Sequence, residues 1–129
     1  MAKNIGKIIE PGDANIWPHE KEIAKVLAKN GYNVEFIRKS NREREHSADA
    51  FIDGKKWEFK SPNAKHTRTI LKNLKEAKWQ SDKVILDSRR MKGVPNSAIY
   101  REVCNASREI KEIKKLKYIS KSSALIDIK

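Results

Sequence analysis

Asp49, Glu58 and Lys60 are the residues whose types and spacing could together do chemistry. They lie in Ala48-Asp49-Ala50-Phe51-Ile52-Asp53-Gly54-Lys55-Lys56-Trp57-Glu58-Phe59-Lys60, two alternating runs around an Asp-Gly pair. Asp-Gly is a favoured two-residue type I′ hairpin turn, because both central positions need positive φ. Such a turn sets the register: Ile52 opposite Lys55, Phe51 opposite Lys56, Ala50 opposite Trp57, Asp49 opposite Glu58. Side chains alternate between faces, so Ala50, Ile52, Trp57 and Phe59 share a core face. Asp49, Glu58 and Lys60 share the other. Two carboxylates about 5 Å apart repel each other. Lys60, an arginine, a metal ion or a shared proton must compensate. Paired carboxyls with different proton affinities are what acid–base catalysis uses. A surface ion pair with Lys60, worth about 0–1 kcal/mol, is the plain alternative.

The residues that follow bear hydroxyl and cationic groups: Ser61, His66, Thr67, Arg68 and Thr69. A helix is expected over 67–81, with Ile70, Leu71, Leu74 and Ala77 on its apolar side. Its first turn would present free N–H groups and a positive dipole end to an anion. Thr67 could hold a phosphate by its hydroxyl, with Arg68 binding it through two parallel hydrogen bonds. Thr67 fits an ordinary N-cap equally well, and His66 fits a solvated loop histidine. Arg68, Lys72, Lys75 and Trp79 recur at spacings of four, three and four, a basic stripe ending in an aromatic. Exposed tryptophans can stack on unpaired bases at about 1–3 kcal/mol each. Of Trp17, Trp57 and Trp79, the stripe favours Trp79, and Trp57 reads as core. Arg89 and Arg90 follow the apolar run Lys83–Asp87 and should emerge at a strand end, where phosphate contact is expected.

These groups need a scaffold. Pro18 stands where a helix can begin; Ile23, Val26 and Leu27 share one face, and Asn30-Gly31 supplies the stop. His19 falls at that helix's start. Tyr32–Ile37 reads as a strand, and 38–47, including His46, as a charged mobile loop. Pro95 opens a third helix carrying Ile99 and Val103. The tail reads as strands Leu116–Ile119 and Ala124–Ile128, joined at Lys121-Ser122-Ser123. Residues 1–16 read as an arm and 17–129 as one domain, consistent with 129 residues.

Lys and Arg number 29 against 17 Asp and Glu, a formal charge of +12. That excess calls for a polyanionic partner. No apolar run approaches the roughly 20 residues of a membrane span, and no helix pairs its basic residues with a broad aromatic face, so no membrane partner is expected. The single cysteine, Cys104, excludes an internal disulfide and a cysteine zinc cage; it reads as a structural thiol. The N-terminus lacks the apolar block of a signal peptide.

Gly31, Asp49-Ala50, Asp53-Gly54, Trp57-Glu58-Phe59-Lys60-Ser61-Pro62, Thr67-Arg68-Thr69-Ile70, Gln80 and Leu86-Asp87-Ser88-Arg89-Arg90 resemble the C-terminal tRNase domain of CdiA contact-dependent growth inhibition toxins. The resemblance spans about residues 17–129. It implies a compact α+β fold of the barnase/EndoU/colicin/RelE type, an N-terminal helix and further helices on a mainly antiparallel twisted sheet. It implies cleavage of tRNA without metal or small-molecule cofactor, a cytoplasmic site of action, and a cognate immunity protein. In that chemistry the ribose 2′-hydroxyl attacks the adjacent phosphate. The resemblance would make Glu58 base or orienter, place Lys60 and Arg68 at the phosphate and Thr67 as donor, and set Arg89 at the phosphate or leaving group. Asp49 joins the catalytic set; Ser61, His66, Thr69, Lys72, Lys75, Trp79 and Arg90 would contact RNA. The chain begins at Met1 with no delivery region, as an excised domain or a stand-alone product would.

Two other readings stand beside it. Asp49 with Glu58-Phe59-Lys60 also satisfies the Asp…Glu-x-Lys pattern of PD-(D/E)xK nucleases, whose carboxylates bind Mg²⁺ while Lys assists the attacking water. Ala48 stands where that pattern usually has Pro. A basic nucleic-acid-binding module without catalysis would show salt-dependent binding and no turnover.

Overall fold

The computed structural model describes residues 5–12, 15–37 and 48–129. The predicted loop 38–47, with His46, lies outside the described residues. Helix α1 (Pro18–Lys29) carries Pro at its first position and ends at Asn30, with Gly31 at φ 90 just beyond. Strand β2 (Val34–Phe36) follows, then the hairpin of β3 (Ala50–Ile52) and β4 (Lys55–Lys60). Asp53 at φ 48 and Gly54 at φ 85 form its turn. The pairing Ala50–Trp57, Phe51–Lys56 and Ile52–Lys55 is the register the Asp-Gly turn predicts.

Helix α2 (Arg68–Ala77) is shorter than the predicted 67–81. Past Ala77 the N–H groups of Gln80 and Ser81 both turn back to its carbonyl, which closes the helix. Strand β5 (Lys83–Asp87), α3 (Asn96–Glu109), β6 (Lys115–Ile119) and β7 (Leu125–Asp127) complete the chain. The arm holds a strand that composition did not suggest, β1 (Ile8–Ile9), paired parallel to β2. Gly6 makes its docking possible: a Cβ there would lie 1.8 Å from the Tyr32 carbonyl oxygen, and the Gly6 N–H donates to Ala28 at 2.8 Å.

The architecture is α+β, three helices with a seven-stranded sheet in sequence order among the described residues. The sheet is mixed, which corrects the expectation of a mainly antiparallel one. β1–β2, β4–β5 and β5–β6 are parallel, whereas β2–β3, β3–β4 and β6–β7 are antiparallel. The cause is connection length: α2 and α3 each carry the chain back across the sheet, so the strands they join run the same way.

Two apolar layers result. Ile23, Ala24 and Leu27 of α1 pack with Phe36, Ala50, Trp57, Phe59 and Ile85 on one face. Ile70 and Leu74 of α2 and Ile99 and Val103 of α3 pack with Val84, Leu86, Leu116 and Tyr118 on the other. The sheet therefore has a core on each side at β5 and β6, and α2 also lies against β4, which decides the environment of Glu58.

Candidate functional site

Glu58 and Lys60 point away from Trp57 and Phe59, as alternation requires, but that face is not open surface. Their partners across β5 are Val84 and Leu86, members of the α2–α3 core. Glu58 is only 6% exposed. The expected exposed acid pair is thus a buried one, because α2 roofs the face.

Asp49 stands just before β3, its N–H donating to the Trp57 carbonyl at 3.1 Å. Its Oδ2 accepts the Phe59 N–H at 2.8 Å. Burial, then the neighbouring Glu58 charge, push its carboxyl from 3.8 up to about 7; the Phe59 N–H and a hydrogen bond with Glu20 pull the other way. Burial also raises Glu58, while hydrogen bonding with Asp49 and the Lys60 charge work against the rise. Both carboxyls are thus pushed upward, so the pair holds a proton more readily than two free carboxylates would. The pair titrates as a unit.

Lys60 Nζ lies 3.6 Å from Glu58 Oε2 and 4.0 Å from Glu76 Oε2 of α2. Among the described residues, the buried Glu58 Oε1 and Ser61 Oγ have no hydrogen-bond partner. A buried acceptor left unpaired costs about 1–3 kcal/mol, more for a charged group, so this end of β4 is built at a cost.

Glu20 is the residue that sequence reasoning passed over. Its Oε1 accepts the Trp17 N–H at 2.9 Å, reaching back over the first turn of α1. It is buried, and its hydrogen bond to Asp49 and its charge felt at Glu58 make it the third acid of the centre. A signal was present: Glu20 lies three residues before Ile23 and seven before Leu27, on the apolar stripe, where an acid needs a reason.

The structure divides the other predicted residues into groups. Arg90 joins the acid centre's strand, its Nη1 donating to the Ser61 carbonyl at 3.1 Å. Arg68, Lys72, Lys75 and Trp79 line one concavity of about 430 Å³ with Leu71 and Glu76. Glu76 links this stripe to Lys60. His66, Thr67 and Arg68 line a shallower one of about 350 Å³ with Lys65 and Val94. Thr67 makes no side-chain cap bond, so its hydroxyl is available to a ligand. Thr69 accepts from Asn73 Nδ2 at its carbonyl, inside α2.

Arg89 parts company with its neighbour. It forks onto Asp87, Nε to Oδ1 at 2.9 Å and Nη2 to Oδ2 at 2.7 Å, and that hydrogen bonding raises its proton affinity further. It lines a different concavity, with Ile5, Ile8, Val26 and Ser123 on the α1 side. Consecutive residues leaving a strand end go to opposite sides of the sheet.

Asp49 supplies a stability test with a definite sign. Its folded proton affinity exceeds the unfolded one, so its favourable contribution is full below pH 4 and lost as pH rises through about 7. The span corresponds to roughly 4 kcal/mol at most. Asp49→Asn removes this loss. Urea midpoints of wild type and variant should converge near pH 4 and separate by pH 8, with the variant more stable. Parallel midpoints across that window would show that Asp49 titrates normally.

Among solved structures, a chain of the CdiA-CT/CdiI toxin and immunity complex from Burkholderia pseudomallei is similar in fold. It matches with a TM-score of 0.70 and 20% identity over 95% of this chain and 98% of that one. No curated protein matches the chain in sequence. The profile of the contact-dependent growth inhibition CdiA C-terminal domain matches residues 46–125, which takes in Asp49, Glu58, Lys60, α2 and α3, and the chain therefore belongs to this family of growth-inhibiting toxin domains.

Proposed function

We propose that this domain inhibits growth as an endoribonuclease, with tRNA as its substrate, and that cleavage takes place at the Glu20–Asp49–Glu58–Lys60 centre. The observation that carries this reading is the buried acid pair of Asp49 and Glu58. Among the described residues one Glu58 oxygen has no hydrogen-bond partner, and Lys60 stands beside the pair, at the edge of the basic face of α2. A +12 chain draws in the polyanion, and the stripe Arg68, Lys72, Lys75 and Trp79 holds it by phosphate contact and stacking.

Of the two cleavage chemistries, the arrangement favours the metal-assisted one. Among the described residues no three His, Cys, Asp or Glu side chains form a ready metal cage, which argues against a structural zinc. Mg²⁺ asks for less: one or two carboxylates, with water and substrate phosphate completing its shell. Asp49 and Glu58 fit that demand, and the orphaned Glu58 Oε1 is an acceptor waiting for such a cation. Bound there, the ion would neutralise charge on the phosphate and lower the pKa of a water. Lys60 would orient the attacking oxygen, Glu20 would hold Asp49, and Arg90 would fix the Ser61 end of β4.

The metal-free 2′-hydroxyl route keeps one observation in its favour. A carboxyl titrating at about 7 can take and return a proton at neutral pH. Incubation with total RNA, in EDTA and in Mg²⁺, followed by mapping of fragment ends, separates the two. Mg²⁺-dependent cuts without cyclic phosphate support the first; cuts in EDTA with 2′,3′-cyclic ends support the second. Intact RNA under both conditions overturns the nuclease reading and leaves a binding module.

The similar fold belongs to a toxin and immunity complex, which supports a cognate immunity protein as partner here too. A tRNA substrate would set the site of action in the cytoplasm. No helix among the described residues is long and apolar enough to cross a membrane.

A further inference from the structure

The sheet face that carries α1 is only partly covered by it. Beyond the helix a concavity of about 530 Å³ opens, lined by no residue of α1. Lys55, Lys83 and Lys115 stand there at the starts of β4, β5 and β6, and Lys117 and Lys129 join them. Among the described residues Asp53 and Asp127 are the acidic side chains on its wall, against the ammonium groups of Lys55, Lys83, Lys115 and Lys117; the Lys129 ammonium turns away and donates to the Ser107 and Ile110 carbonyls at the end of α3.

Those acids are already engaged. Asp53 Oδ1 accepts the Asn33 N–H at 3.0 Å. Asp127 Oδ1 holds Lys117 Nζ at 2.6 Å. Lys117 is the built element of the site: 8% exposed, bonded to the Tyr32 hydroxyl at 3.1 Å, and over the Tyr32 and Trp57 rings. Burial works against its charge, but Asp127 and Tyr32 outweigh it, and the net shift is upward. Lys129 is pushed downward by burial and by Lys114. Lys83 and Lys115 are register partners on neighbouring parallel strands, about 4.8 Å apart. Like charges so placed destabilise the pairing. Asp82 offsets Lys83 alone; Lys55 and Lys115 have no ion pair among the described residues.

We propose that this concavity is a second anion site, which grips phosphates of the RNA away from the bond that is cut. Phosphates are the fitting chemistry because several separate charges must be met at once along a row of strand starts. The inference rests on the endoribonuclease reading and sharpens it. Lys55, Lys83 and Lys115 begin their strands on one face, whereas Glu58 and Lys60 lie toward the end of β4 on the other. Only an RNA long and folded enough to pass around the sheet reaches both, which specifies a structured RNA over a short single strand.

The test uses the 129-residue protein carrying Glu58→Gln, so that binding is read without cleavage. The triple variant Lys55→Ala/Lys83→Ala/Lys115→Ala is compared with a control that removes the same charge from exposed positions elsewhere, Lys92→Ala/Arg101→Ala/Lys111→Ala. The probes are a folded tRNA, a short single-stranded oligonucleotide and polyglutamate. Each phosphate lost from the contact lowers the slope of log affinity against log salt by about 0.7–0.9. The site variant should lose about two to three in slope for tRNA, keep its affinity for the oligonucleotide, and exceed the control's loss. Equal losses in both variants would mean diffuse charge and overturn the proposal. So would unchanged tRNA affinity, and so would selective loss of polyglutamate binding, which would name an acidic protein as the occupant. Failure of wild-type protein to cut RNA is a separate result that sinks the nuclease reading without touching these binding data.

Discussion

Glu58→Gln protein should fold at least as stably as wild type and cut RNA roughly 10²–10⁴-fold more slowly. Both halves have one cause. Glu58 is a buried carboxyl, raised by burial and further by the charge of Glu20, and it in turn raises Asp49. The amide keeps the shape and removes the charge, so like-charge repulsion across the hairpin disappears. It also removes the negative oxygen that would hold a cation or take a proton. Lost activity with retained or higher stability is the signature of a site built against stability. Lys60→Ala should behave differently. It strips Glu58 of a cation 3.6 Å away, so both activity and stability fall. Paired urea melts and single-turnover cleavage rates check this. A Glu58→Gln protein that cuts normally removes the acid centre from the mechanism, whatever its stability.

Arg89→Ala, in the turn after β5, should destabilise the protein by about 3–5 kcal/mol. Asp87 is buried and receives three bonds from the Arg89 guanidinium and one from its backbone N–H. Truncation leaves that carboxylate inside the protein without its charge partner, the expensive half of breaking a buried pair. Against a total stability of about 5–15 kcal/mol, much of the margin is consumed. Arg89→Lys should rescue only in part, because a point charge cannot reproduce the planar fork. The resemblance placed Arg89 at the scissile phosphate; the structure has its guanidinium occupied by Asp87 and set among α1-side residues. Cleavage per folded molecule, measured at low temperature, should be near normal. Full stability with lost cleavage would restore the phosphate role.

Some of this was readable from residues alone. Asp53-Gly54 determined a hairpin and its register, because a two-residue turn with positive φ leaves one pairing. That placed Asp49 across from Glu58 and put Lys60 on the same side. Pro18, Asn30-Gly31 and Pro95 marked helix ends for the same local, backbone reason. The order strand–helix–strand–helix–strand after Lys55 also held the parallel pairings β4–β5 and β5–β6, since a helix-long connection returns the chain to run the same way; the resemblance to an antiparallel fold obscured it.

What tertiary structure alone decided was environment. Alternation says that Glu58 opposes Trp57, but not that both faces are cores; only the packing of α2 over one and α1 over the other buries the acid and raises it. Glu20 reaches Asp49, and Arg90 reaches Ser61, across gaps of about thirty residues that no spacing rule connects. Arg89 turns to Asp87 because the buried carboxylate needs a cation there. Turns and caps follow from the dihedral preferences of a few neighbouring residues, so sequence determines them locally. Burial, proton affinity and the company a side chain keeps depend on which distant elements the whole chain brings together.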